Sequence, residues 1–121
     1  MMRELKFRAW DRINKRMYYD IVKFNNSGVG IKIGNTSDVE EWNYEYMQYT
    51  GLKDKNGKEI YEGDIVVNGV DRYIVEYRNG GFNLAGIEDF THDIYIWFEH
   101  ERVEVVGNIF ENPELLSKLK Q

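Results

Sequence analysis

A mostly β chain, built from antiparallel hairpins that form a bent sheet and an SH3-like barrel, is predicted by three observations on this 121-residue sequence. Three Asn-Gly dipeptides, Asn56-Gly57, Asn68-Gly69 and Asn79-Gly80, border β-rich runs, and this dipeptide marks hairpins because both residues tolerate positive φ. Aromatic residues reach 15%, a share that suits pleated, half-buried surfaces. Short apolar alternations recur between polar turn clusters, the pattern of many short strands rather than of helices.

The elements follow in order. Leu5, Phe7 and Ala9 alternate with Lys6, Arg8 and Trp10 in a first strand. Asp11 to Lys15 form a polar loop, and Met17, Tyr19 and Ile21 alternate with Tyr18, Asp20 and Val22 in a second strand that pairs back. Asn25 to Gly28 turn the chain again into a short third strand carrying Val29, Ile31 and Ile33. Residues 38 to 47 are acidic and aromatic; Ser37 or Asp38 would cap a helical turn, whereas the alternation of Trp42, Tyr44 and Tyr46 argues for an extended connection.

In the second half, strands are predicted at about 64–68, 71–78 and 81–85, then at 93–98 and 103–106, with Gly107 to Phe110 completing the run. Asn112-Pro113-Glu114 reads as a helix start, cap then proline then acid, so a short C-terminal helix should dock Leu115, Leu116 and Leu119 on the sheet. The expected organisation is one domain, residues 1–121, with an N-terminal sheet region over 1–45, a barrel region over 48–111 and the helix over 112–121.

Composition excludes several function classes. Without cysteine there is no disulfide framework, thiol nucleophile or thiolate metal site. Residues 1 to 6 lack a signal-peptide core and no apolar run approaches the ~20 residues of a membrane span, so a cytoplasmic protein is expected. Net charge is −5, which opposes broad binding to a polyanion but leaves room for a local basic patch.

No catalytic constellation emerges from the residues. Glu59, Glu62 and Asp64 are the most tempting carboxylates for acid and base roles; the simpler expectation is that Asp64 hydrogen-bonds a turn while the glutamates stay solvated. His92 and His100, near Asp89, Asp93 and Glu99, lack metal-ligand spacing. Ser27, Ser37 and Ser117 stand in no nucleophile motif, and Gly28-Val29-Gly30 is no phosphate loop. No catalytic residue, metal or cofactor is expected.

Two binding surfaces remain. Trp10, Tyr18, Trp42, Tyr44, Trp97 and Phe98 exceed what a small one-sided sheet needs, and the run Tyr95-Ile96-Trp97-Phe98, read as a strand, puts apolar side chains on both faces. They are the candidate protein interface. Lys53, Lys55 and Lys58 gather around the Asn56-Gly57 turn with Tyr49 and Tyr61 beside it, the interleaving of cation and ring that a single-strand binder uses.

Three blocks, Lys6-Phe7-Arg8-Ala9-Trp10-Asp11, residues 47 to 66, and Val106-Gly107-Asn108-Ile109-Phe110-Glu111-Asn112-Pro113-Glu114-Leu115-Leu116, resemble the YopX-type family of phage and prophage proteins. They cover about a third of the chain, at its start, middle and end. The resemblance implies a small, largely β protein of phages or prophages with no established biochemical activity, and it brings no catalytic residues to carry over. The leading expectation is therefore a non-enzymatic accessory protein that binds a protein, itself or a host factor, as a homo-oligomer. The second is a nucleic-acid-associated module in phage DNA metabolism.

Overall fold

The computed structural model describes residues 5–24, 30–32, 43–87 and 93–117, without the side chains of 20–24, 30–32, 93 and 98. The chain divides into two compact units, residues 1–49 and 50–121.

In the first unit, β1 (Phe7–Asp11), β2 (Arg16–Phe24), β3 (Gly30–Lys32) and the start of β4 (Tyr44–Lys53) pair antiparallel in the order β3-β2-β1-β4. The β1–β2 loop closes because Asp11 folds its carboxylate over it. Its Oδ1 accepts the amides of Ile13 at 2.9 Å and Asn14 at 3.0 Å, and its Oδ2 accepts the Asn14 side chain at 2.8 Å. Lys15 then takes a φ of 57° to re-enter the strand. Period-two alternation holds on β1: Ala9 lies opposite Tyr18 and Tyr46, while Trp10 lies opposite Met17 and Glu45. Polarity does not sort the two faces, however. Arg8, Trp10 and Asp11 are buried along with Ala9.

In the second unit, the end of β4 runs beside β5 (Glu59–Tyr61). Five further strands, β6 (Asp64–Asn68), β7 (Asp71–Arg78), β8 (Gly81–Gly86), β9 (Asp93–Tyr95) and β10 (Glu104–Asn108), form an antiparallel sheet in the order β10-β6-β7-β8-β9. It curls into a half-barrel. The β7–β8 turn is Asn79-Gly80, both residues at positive φ (53° and 82°), as a two-residue hairpin requires. At the other hairpin the pairing of Asn68 with Asp71 shifts the loop by one residue to Gly69-Val70, with only the glycine needing positive φ.

Inward positions fill one core: Ile60, Val66, Val75, Phe82, Leu84, Ile96, Val103 and Val105, with Leu52, Tyr73 and Ile94 at its margin. Cross-strand pairs explain the set, because Leu84 lies between Val75 on β7 and Ile94 on β9. Each fully buried aliphatic side chain contributes roughly 1.5–3 kcal/mol through removal from water.

The mostly β, antiparallel, bent architecture is the one the sequence predicts, with two local corrections. The run 93–98 is not one strand: it leaves the sheet after Tyr95 and makes a helical turn, α1 (Ile96–Glu99), followed by a 3-10 turn at His100–Arg102. The sheet order supplies the reason. The chain leaves one sheet edge at β9 and must cross to β10 at the other, and the turn reverses it while keeping Ile96 in the core. The argument that residues 95–98 show two apolar strand faces therefore fails.

The second correction is at the C-terminal end, where Pro113–Leu116 make a single 3-10 turn instead of a helix and Ser117 is already extended. Arg72 takes the carbonyls of Leu115 and Ser117, both at 2.7 Å, and so holds this segment to β7 without a helix. A helix of ten residues or fewer is marginal on its own. Leu115 and Leu116 are half-buried, and Leu119 lies outside the described residues.

Candidate interaction surfaces

Within the second and third sequence blocks, Asp54, Asp64 and Asn108 act as turn staples. Asp54, 5% exposed, accepts the amides of Asn56 (2.8 Å) and Lys58 (2.9 Å) on Oδ1 and, on Oδ2, the amide of Val105 (2.9 Å), fifty-one positions away. Burial alone would raise the Asp54 carboxyl, but these three amides and the charge of Lys58 outweigh it and hold the group below its ordinary value. Asp64, 2% exposed, accepts the Tyr61 amide at 2.7 Å, the turn role expected for it. Glu59 accepts the Tyr61 hydroxyl at 3.4 Å, and Glu62 is half-buried.

Asn108 is the third staple: Oδ1 accepts the amides of Phe110 and Glu111, and Nδ2 donates to Glu111. Asn112 closes the same turn by accepting the Asn108 amide at 3.1 Å, and this brings its Oδ1 to 2.5 Å from where a Cβ on Gly107 would stand. Gly107→Ala is therefore expected to expel Asn112 from the turn and cost about 1–3 kcal/mol, read as a lower midpoint in urea. An unchanged midpoint would show that the turn gives way freely.

Among the described residues no three His, Asp or Glu side chains gather as metal ligands would. His92 and Asp89 lie outside them.

The six aromatic candidates separate. Trp10 is 8% exposed and so offers no ring to a partner; Trp42 and the Phe98 side chain lie outside the described residues. Tyr18 and Tyr44 share a face of the first unit with Phe7 and Tyr46, packed around Ala9. Tyr18 meets Tyr44 edge-on at 6.4 Å, Tyr44 meets Tyr46 at 6.3 Å, and the Arg16 guanidinium stands 5.6 Å over Tyr18. Ala9 is the buried member; all four rings remain partly open. Burial and the Asp11 charge push the Tyr44 phenol up, which keeps it a neutral donor.

Among the described members of this set Trp97 is the one left mainly in solvent, 68% exposed. Its ring stands 6.2 Å from that of His100, whose Nδ1 donates to the Lys53 carbonyl at 2.7 Å, since a carbonyl can only accept. That hydrogen bond brings the lysine turn and the tryptophan together, an arrangement with no local signal in the sequence. Lys53, Lys55 and Lys58 are exposed as expected. Tyr49 and Tyr61 are not available beside them: at 4% and 3% exposure neither presents a face on which a base could stack.

Comparison with known proteins adds the following. A family model described as YopX protein matches residues 6–117. The chain is similar to the crystal structure of protein EF1440 from Enterococcus faecalis, at 29% identity and a TM-score of 0.71, covering 96% of this chain and 100% of that one. It shares its fold with the X-ray structure of protein yopX from Bacillus subtilis, at 22% identity and a TM-score of 0.58, covering 95% and 98%. Comparison with curated proteins gives no match.

Proposed function

This chain belongs to the YopX family, and from that membership we propose that it is a non-enzymatic phage or prophage accessory protein that works by binding another protein. The observation that carries this is the ring face of the first unit. Phe7, Tyr18, Tyr44 and Tyr46 pack against a single buried alanine, the three tyrosines in ring contact in turn, and all four keep part of their surface open, which is the composition of an interface centre. The first occupant to test is a second copy, because an isologous pairing covers the same face on both chains at once. A host protein is the other occupant within the same reading.

The staples support a role without chemistry. Asp11, Asp54 and Asp64 each have carboxylate oxygens engaged by backbone amides, an arrangement that fixes turns, and at Asp11 and Asp54 it lowers the basicity an acid–base catalyst would need. Among the described residues no helix is long and apolar enough to cross a membrane, and a cytoplasmic site of action is part of the proposal.

Light scattering on the eluting protein tests it. The parent is expected to elute as a dimer, and Tyr18→Ser with Tyr44→Ser to shift it toward monomer. A parent that stays monomeric at every concentration removes self-association. Failure of the ring variants to change capture from host lysate would then remove the protein-binding reading as well.

A further inference from the structure

We propose that Lys53, Lys55, Trp97 and His100 of the second unit form a contact site for single-stranded nucleic acid, with one base stacked on Trp97 and the neighbouring phosphates on the two lysines. It is a different surface from the ring face of the first unit and does not rest on it.

Three features of the corner support this. First, the platform is open and backed: Trp97 is 68% exposed, with the His100 ring beside it at 6.2 Å and an interplanar angle of 41°. An exposed indole face stacks on any unpaired base, and such stacking is worth about 1–3 kcal/mol per base. Second, the corner is fixed before any ligand arrives. His100 is tied to the Lys53 carbonyl, the Lys55 amide donates to the Val103 carbonyl at 3.0 Å, and Asp54 binds the intervening turn to β10 through the Val105 amide. Little backbone ordering is left to offset binding, and the remaining cost is the rotamer freedom of the two exposed lysine side chains.

Third, the charge is positive and available. Among the described residues the ammonium groups of Lys53 and Lys55 meet no carboxylate at ion-pair distance. The acid nearest in sequence to Trp97, Glu99, is already engaged by Arg102 at 3.0 Å. These two lysines adjoin, through the Lys53 carbonyl and His100, an open tryptophan in a chain of net charge −5, so they offer phosphates a local cationic contact against an acidic background.

The surroundings favour a nucleic acid over a protein anchor. A tryptophan that anchors a protein interface sits among apolar neighbours that exclude water. Here the residues gathered by hydrogen bond and ring contact are lysine and histidine, with the Glu99–Arg102 ion pair close by in sequence. Tyr95, the adjacent exposed aromatic, turns its ring toward Gly81, where its Cε1 would lie 3.2 Å from a Cβ.

Fluorescence anisotropy of a labelled oligothymidylate tests the site. Binding is expected at low salt, with a log–log salt slope near −1.4 for two phosphate contacts at about −0.7 each. Lys53→Gln with Lys55→Gln should flatten that slope. Trp97→Leu should weaken binding by about 5- to 150-fold, the range of one stacked base, while Trp97→Phe retains most of it. Absence of binding at low salt, or binding that ignores Trp97→Leu, overturns the proposal. Equal competition by polyglutamate also overturns it, in favour of an acidic protein partner. None of these variants touches Tyr18 or Tyr44, so this result and the oligomeric state fail or stand separately.

Discussion

Replacing Asp54 with alanine is expected to destabilise the protein by about 2–4 kcal/mol, a fall of roughly 10 °C in thermal midpoint for a chain of this size. One carboxylate serves three amides. Those of Asn56 and Lys58 lie in an exposed turn and can turn to water, so their loss is cheap. The Val105 amide is different: it belongs to a β10 residue that is 8% exposed in the core, and without Asp54 it becomes a buried donor with nothing to bond. That desolvation term dominates the estimate. The loss also uncovers a sheet edge. Among the described residues β10 pairs with β6 alone, and on its other side the Asp54 carboxylate and the Lys55 amide take the Val105 amide and the Val103 carbonyl. Freed backbone groups on an edge strand recruit other chains, so the variant should aggregate on heating where the parent does not.

The same residue sets an acid limit. The folded Asp54 carboxyl lies below its ordinary value of 3.8, so the native state holds its proton less tightly than the unfolded chain does. Its stabilisation is complete above 3.8 and disappears as pH falls through the folded value. Asp11 is lowered as well, first by the Asn14 amide, and adds to the same limb. Asp54→Asn, which keeps an acceptor but removes the charge, should lower stability at neutral pH and flatten the loss below 3.8. Denaturant midpoints taken on both sides of that pH decide it; parallel acid limbs in parent and variant would mean that Asp54 is not the coupled group.

What the sequence made legible is what neighbouring residues decide. Asn79-Gly80 could be placed because positive φ at two successive residues is a local demand. Val75 and Leu84 could be placed because alternation on a strand needs no knowledge of its partners. The turn role of Asp64 was readable for the same reason: its acceptor serves an amide three residues back. Contacts made across the fold were not readable. Asp54 reaches Val105 and His100 reaches Lys53, forty-seven positions apart, so neither the blunted edge nor the tryptophan corner has a local signature. Tyr49 and Tyr61 look in the sequence like rings flanking a basic turn, yet their exposure is set by what packs over them. The helical turn at Ile96–Glu99 escaped notice because it answers to the strand order and not to its own residues.

Leu84→Ala is expected to cost about 2–5 kcal/mol and to leave the tryptophan corner intact. Leu84 is fully buried, paired across the sheet with Val75 and Ile94, and belongs to the same cluster as Val66, Phe82 and Val103. Val66, Val75 and Phe82 stand on strands paired on both sides, so they cannot readily close on the vacated volume, which places the cost toward the upper part of the range. Position 85 on the same strand is already alanine and half-exposed, so the penalty belongs to the inward face and not to the strand. This separates stability from binding. Lys53, Lys55 and His100 lie outside the core cluster, and the hydrogen bonds that fix them run to backbone groups of β4 and of the segment leading into β10. At a temperature where both proteins are folded, Leu84→Ala should therefore give the parental salt slope in oligonucleotide binding with a midpoint in urea far below the parent's. A slope that collapses together with the midpoint would mean that the corner draws its geometry from the core, and would move the tryptophan site from an independently fixed surface to one that exists only while the half-barrel is fully packed.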